Sequence, residues 1–322
     1  MTKGSIRLAL DKPYYIAGEV ITGNCEVNIS QPVQAAALTI KWKGMERTKF
    51  VISRMETYDA GGGRTETRTV HDKFEQEKTF FKTQMVLGSF NGGMAMPGTY
   101  SFPFQFQLPA DLPGGCNIHR TEFGNEYRAA IIYKVKSNLD NVNEKDIKDK
   151  RYLSIVPRSL TVPQPVSCHN EKSFLFGGSG KLFMDATIPK NVFIPGETVP
   201  VRVIIDNQSK KNVDKLKVKL MRDVKLNCKG RTIQYSEEVN RNVFNGVDKK
   251  SKHDNVLNYG LPANIFPSTE GSMISHIYHL DIECDVAMAF DLEVHPRIEI
   301  IFMPAMNQAF YFYDNMPKGC WK

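Results

Sequence analysis

Along much of the chain, hydrophobic residues return at every second position. Phe102, Phe104, Phe106 and Leu108 alternate with Ser101, Pro103, Gln105 and Gln107. Val199, Val201, Val203 and Ile205 repeat the pattern, as do Leu216, Val218 and Leu220 between Lys215, Lys217 and Lys219. His276, Tyr278, Leu280, Ile282, Cys284 and Val286 form one more such face. A period of 2 marks strands with one face on a core and one toward solvent. Many such strands, separated by Gly and Pro turns and without a long amphipathic helix, predict an all-β, immunoglobulin-like sandwich architecture. A short helix in the first half remains compatible with the pattern.

The pattern also occurs twice. Lys12-Pro-Tyr-Tyr-Ile-Ala-Gly-Glu19 returns as Lys190-Asn-Val-Phe-Ile-Pro-Gly-Glu197, and the offset of 178 holds without a gap for some thirty positions. Ile16 falls on Ile194, Leu38 on Leu216, Lys41 on Lys219 and Trp42 on Leu220. Downstream, Leu108-Pro-Ala-Asp111 is echoed by Leu261-Pro-Ala-Asn264, each followed by a Tyr-bearing strand. Two tandem sandwich lobes follow from this repeat. Residues 1–160 form the first, 161–174 a proline-bearing linker and 175–322 the second, entered through Phe176–Gly180. Gly18 and Gly196, each followed by Glu19 or Glu197, stand where the chain needs a positive φ that glycine reaches at little cost. Thr57–Asp72 and Asn245–Asn258, poor in apolar residues, read as long mobile loops, and Asp140–Lys150 as a solvated hairpin.

At 322 residues with 41% hydrophobic and 24% charged positions, the composition is that of a globular protein with room for two cores. No stretch approaches the roughly 18 apolar residues of a membrane helix. Met1–Ser5 runs straight into an alternating segment without a signal-peptide core, which predicts a cytoplasmic chain. Cys25, Cys116, Cys168, Cys228, Cys284 and Cys320 are dispersed, with no CxxC pair, and read as reduced thiols filling cores. The sequons at Asn28 and Asn207 are then silent.

Charge adds a candidate site. Residues 202–231 carry ten Lys/Arg against three Asp, an excess equal to the +7 of the whole chain, whereas from residue 253 onward nine acidic residues face three basic ones. Lys215, Lys217 and Lys219 share one strand face about 7 Å apart, and Lys41 and Lys43 lie on the equivalent strand of the first lobe. With Lys210, Lys211, Lys225 and Arg231 on flanking segments, these residues form a candidate anion- or phosphate-binding surface. Aromatic residues are not interleaved with them, which speaks against nucleic acid. Catalytic patterns are absent: His276 and His279 point to opposite faces of a strand, Gly177–Gly180 is not GxSxG, and no P-loop or dinucleotide fingerprint occurs. No metal, cofactor or enzymatic activity is expected.

The run Leu10-Asp-Lys-Pro-Tyr-Tyr-Ile-Ala-Gly-Glu-Val-Ile-Thr-Gly23, the phrase Pro97-Gly-Thr-Tyr-Ser-Phe-Pro-Phe104, Leu108-Pro-Ala110, Tyr133-Lys-Val135 and Ile194-Pro-Gly-Glu197 together resemble the arrestin superfamily. The resemblance covers essentially the whole chain and is nearest to the arrestin-domain-containing, or α-arrestin, branch. It implies a cytosolic, non-enzymatic adaptor without cofactor. Such an adaptor is recruited to the plasma membrane or endosomes, and brings the cytoplasmic tails of receptors or transporters to trafficking machinery. The charge of the basic face itself makes phosphorylated tails or anionic lipid headgroups its candidate ligands, and the resemblance makes Arg128 a candidate for the arginine of a buried polar core. The PPxY motifs by which many α-arrestins recruit ubiquitin ligases are missing, since no two prolines are adjacent. Rival readings are an obligate structural subunit of a retromer-like endosomal coat and, more remotely, an unrecognised enzyme.

Overall fold

The computed structural model describes residues 3–140, 146–174, 180–287 and 289–302. The first lobe is built from β1 (Gly4–Leu10), β2 (Tyr14–Ile16), β3 (Val20–Ile29), β4 (Val33–Gln34), β5 (Ala37–Gly61), β6 (Arg64–Ser89), β7 (Met94–Ala95), β8 (Gly98–Gln107), β9 (Cys116–Glu122), β10 (Asn125–Leu139) and β11 (Ile147–Val156). The second contains β12 (Val166–Phe174), β13 (Gly180–Ile188), β14 (Val192–Phe193), β15 (Thr198–Asn207), β16 (Val213–Cys228), β17 (Arg231–Val247), β18 (Ser251–Gly260), β19 (Thr269–Glu270), β20 (Ile274–Asp285), β21 (Leu292–Val294) and β22 (Arg297–Ile300). Among the described residues, helical structure is confined to a 3-10 turn at Asn91–Gly93.

Each lobe stacks two sheets on one core. In the first, β1-β3-β8 faces β2-β11-β10-β5-β6, and in the second, β12-β13-β15-β18 faces β14-β22-β20-β16-β17. The repeat is visible in the connections. β5 lies between β10 and β6 as β16 lies between β20 and β17, and the short β2 and β14 both join their sheets in parallel. Trp42 and Leu220, aligned by the repeat, are both fully buried. Trp42 stacks on Phe106 with ring centroids 4.9 Å apart and meets Phe104 edge-on. Burying each such side chain contributes roughly 1.5–3 kcal/mol.

The Gly-Glu turns are the same device in both lobes. Gly18 has φ +87° and Gly196 φ +82°. Each donates its amide to the carbonyl of the following Leu-Pro turn, Pro109 or Pro262. The glutamate then folds back. Glu19 Oε2 accepts the amide of Ile16 at 3.0 Å, Glu197 Oε2 accepts that of Ile194 at 3.0 Å, and Lys12 and Lys190 hold the other carboxylate oxygens.

Several expectations about segments between elements are corrected. Thr57–Asp72 is not a loop: β5 and β6 run on as one hairpin to a turn at Gly61–Gly63, where the three glycines all have positive φ. Its outer half has no core to sit on. The backbone ladder and cross-strand pairs such as Arg54–Asp72 and Arg68–Glu56 hold it instead. Asn245–Asn258 is likewise the end of β17, a short turn and most of β18. The linker is shorter than expected, because Val166–Phe174 is strand β12 and pairs along its whole length with β13. The Phe176–Gly180 entry turn lies outside the described residues except for Gly180. Cys25, Cys116, Cys228 and Cys284 are buried free thiols, Cys168 is a partly exposed one, and Cys320 lies outside the described residues.

The lobes do not merely abut. The far end of β16 (Val224, Leu226 and Cys228), together with Met273 and Ile274, packs into the core of the first lobe. The Thr48 hydroxyl donates to the carbonyl of Asn227 at 2.8 Å. Glu46, fully buried on β5, accepts the Ser272 hydroxyl at 2.6 Å and the Met273 amide at 3.1 Å. A side chain on Gly271 would overlap that carboxylate. Arg120 covers the Tyr235 ring at 4.0 Å and Arg231 the Phe74 ring at 4.1 Å, closing the seam with cation–π contacts.

Candidate functional site

The candidate residues divide between two equivalent sheets with opposite surroundings. On β16, the burial of Leu216, Val218 and Leu220 turns Lys215, Lys217 and Lys219 outward together. The strand beside them is β20, whose outward residues in the same register are Asp285, Glu283 and Asp281. Lys217 Nζ lies 2.6 Å from Glu283 and 2.8 Å from Asp285. Lys219 Nζ lies 3.1 Å from Asp281 and also contacts Glu283. Hydrogen bonds to Asp285 and Glu283 push the Lys217 ammonium well above the usual lysine range. Burial works against the charge of Lys219, but Glu283 and Asp281 outweigh it and raise that ammonium too. An acidic neighbouring strand supplies the counter-charge for Lys217 and Lys219.

The rest of the second-lobe set is not brought together. Lys210 is exposed in the β15–β16 connection, and Lys211 donates to the carbonyl of Ala287 at 3.1 Å. Lys225 sits ten residues along β16 from Lys215, about 33 Å away by strand geometry. Arg231 is spent on the Phe74 ring. Arg128, the candidate polar-core arginine, is half-buried on β10 and pairs with Glu126, and its register partners are Lys49 and His119. The buried carboxylate between the lobes is Glu46, held by a hydroxyl and an amide rather than by Arg128. His276 is buried, its Nε2 2.7 Å from the Pro267 carbonyl, and burial drops its pKa to about 4; His279 pairs instead with Asp223 at 2.7 Å.

The first-lobe sheet carries the charge that the second lobe neutralises. Lys41 and Lys43 project from the outer face of β5 opposite Lys136 and Lys134 on β10. Beyond them, Lys150 on β11 pairs with Lys136, and Lys82 on β6 pairs with Lys43. Six lysines therefore lie on one face across four adjacent strands. The carboxylate paired to this group, among the described residues, is Glu77, 2.5 Å from Lys43. Burial, then the neighbouring charge of Lys43, holds the Lys134 ammonium below the usual range, as expected where like charges crowd. Sequence reading found Lys41 and Lys43 and missed Lys134, Lys136, Lys150 and Lys82. The signal for two of them was present in the alternation Tyr133-Lys134-Val135-Lys136, but the partner strand was not.

A pair of stacked-sheet lobes repeating one topology, with the Gly-Glu and Leu-Pro turns interlocked in each and a shared core between them, defines an arrestin-type protein. Residues 5–160 match the family model described as Arrestin (or S-antigen), N-terminal domain, and residues 178–305 the one for the C-terminal domain. The chain belongs to the arrestin family. It is 31% identical over 295 residues to arrestin domain-containing protein A of Dictyostelium discoideum, covering 91% of this chain and 50% of that protein. With arrestin domain-containing protein B of the same organism it shares 25% over 287 residues, covering 87% of this chain and 43% of the other. With human arrestin domain-containing protein 4 it shares 27% over 211 residues, 62% of this chain and 46% of the other. The chain thus spans about half the length of these relatives or less. Among the described residues, no helix is long and apolar enough to cross a membrane.

Proposed function

We propose that the chain is a non-enzymatic adaptor that receives acidic or phosphorylated cytoplasmic tails of membrane receptors or transporters on the outer face of the first lobe. It then presents them to trafficking machinery at the plasma membrane or endosomes. The observation that carries this reading is the four-strand group of Lys41, Lys43, Lys82, Lys134, Lys136 and Lys150, with Glu77 as its paired carboxylate. Lysines crowded in this way repel one another, and a multivalent anion relieves the repulsion while each ammonium gains a charge-assisted hydrogen bond. A phosphorylated or acidic peptide spans such a face, since neighbouring strands are about 4.8 Å apart and same-face residues about 7 Å apart.

The test is binding of phosphorylated and unphosphorylated tail peptides to wild type, to a Lys41→Glu/Lys134→Glu/Lys136→Glu variant and to a Lys215→Glu/Lys217→Glu/Lys219→Glu variant. At roughly 1 kcal/mol for each lost contact, the first-lobe triple variant weakens the phosphopeptide on the order of a hundredfold. Equal binding by wild type and the first-lobe variant, or retention on anionic vesicles with no peptide affinity, would remove the tail-docking reading. The second-lobe variant reports folding rather than binding, because Lys217 and Lys219 sit in ion pairs.

A further inference from the structure

Beyond the tail-docking face, a second cluster on the outer surface of the second lobe has the chemistry of a metal site. β20 and β21 form a hairpin in which Glu283 stands directly opposite Glu293, and Asp281 lies near His295 just beyond the paired residues. Like charges directly across a ladder disfavour the pairing unless something cationic joins them. Lys217 and Lys219 serve one side of this group, reaching Asp281, Glu283 and Asp285. On the other side Asp291 and Glu293 feel the charge of Lys172, which itself donates to the carbonyl of Phe290. Five carboxylates thus share a small area with three lysines.

Within that area, one ligand atom each from Asp281, Glu293 and His295 lie within 4.8 Å of one another. Asp281 is 8% exposed, one of its oxygens is held by Lys219, and the other, Oδ1, is buried and accepts no hydrogen bond. That oxygen points toward His295, whose Nδ1 is 3.6 Å away, and His295 Nε2 is 3.8 Å from Glu293. A buried carboxylate oxygen without a donor is unfavourable, and a cation between the three groups would satisfy it. The His295 ring is 53% exposed, so it can turn toward a shared ion with little loss of packing.

We infer that Asp281, Glu293 and His295 bind one divalent cation of the zinc class. The donor set decides the class: one imidazole nitrogen with two carboxylates suits zinc and its transition-metal neighbours, whereas calcium and magnesium take oxygen cages. Three protein ligands on an open surface leave a coordination position for water. The adjoining all-oxygen group of Glu283, Asp291 and Glu293 is a weaker receptor, since Glu283 already holds both lysines and Asp291 Oδ1 accepts the Val286 amide at 3.1 Å. Sequence reading tested His276 with His279 and passed over His295, whose partner Asp281 comes from the neighbouring strand of the hairpin.

The experiment is calorimetric titration of the chelator-stripped full chain with zinc chloride, with calcium and magnesium as separate arms. One equivalent of zinc is expected to bind saturably. His295→Gln should weaken it by at least about tenfold, since even groups that only orient ligands are worth roughly 10–100-fold. Asp281→Asn, which removes the charge on the unserved oxygen, should weaken it as well. His169→Gln, at a similarly exposed histidine paired with Asp185 in the same lobe, should change nothing. Absence of saturable zinc binding, zinc binding indifferent to His295→Gln, equal loss in His169→Gln, or a preference for calcium would each overturn the assignment. None of these outcomes depends on peptide binding by the first lobe.

Discussion

Lys41 on β5 and Lys219 on β16 hold equivalent positions in two copies of one fold, yet the strand beside each differs in sign. Next to Lys219 runs β20 with Asp281, Glu283 and Asp285, and next to Lys41 runs β10 with Lys134 and Lys136. The topology and the face are the same, so neither local conformation nor burial of the apolar half explains the difference. The second lobe has closed Lys217 and Lys219 into an internal network, partly shielded from water, whereas in the first the paired carboxylate among the described residues is Glu77, on Lys43. A surplus of lysines along one strand therefore says little about binding until the strand paired to it is known.

The comparison breaks most visibly if each lysine is removed. Lys219→Ala takes the lysine from the largely buried Asp281 and leaves Glu283 with Lys217 alone, and should cost about 3 kcal/mol in denaturant unfolding. Lys41→Ala, which leaves no buried charge behind, should stay within about 0.5 kcal/mol of wild type. Equal losses at the two positions would end the contrast between the lobes.

A smaller effect comes from converting the first lobe toward the second. Lys136 faces Lys41 on one side and Lys150 on the other. Lys136→Glu turns two like-charge cross-strand pairs into opposite ones, and should stabilise the chain by roughly 0.5–1 kcal/mol while weakening phosphopeptide binding. A destabilised but binding-competent variant would contradict the reading of this face as open.

The smallest expected effect is a difference in pH response. Burial pushes the Glu283 carboxyl up, but Lys217 and Lys219 outweigh it and hold it below its ordinary value of 4.5. A carboxyl depressed by folding contributes stability that is complete above the unfolded value and is lost as pH falls through the lower folded one. Lys134 runs the other way. Its ammonium, held below 10.5 by burial and then by Lys43, opposes folding while charged, and that penalty lifts as pH rises through its folded value toward 10.5. Urea midpoints across pH should show Glu283→Gln flattening the acid limb and Lys134→Met flattening the alkaline one. Unchanged slopes in both variants would mean that neither network couples to folding.

The sandwich pair was readable because the code for it is local. Period-2 alternation assigns each side chain a face, and the 178-residue repeat shows that the same sequence of faces is used twice. The β5–β6 hairpin escaped because both faces of its outer half are solvated, which leaves no alternation to detect. The electrostatic outcome escaped for a different reason. Lys217 meets Glu283 across 66 residues of chain, and charge alternation on one strand carries no record of which strand will lie beside it. The acid-rich segment after residue 253 held the missing half of the answer: Asp281, Glu283 and Asp285 occupy the outward positions between Leu280, Ile282 and Cys284.

The passage of β16 and the start of β20 into the first lobe sets a timetable for synthesis. When Val156 leaves the ribosome every strand of the first lobe exists, but the apolar ground that Val224, Leu226, Cys228, Met273 and Ile274 will cover is still bare. Ile274 leaves it 118 residues later, an interval of roughly 6 to 24 s at translation rates of about 5–20 residues per second. Throughout that interval the nascent first lobe carries an unfinished hydrophobic end with Glu46 at its rim, and the carboxylate stays hydrated until Ser272 and Met273 arrive to replace the water.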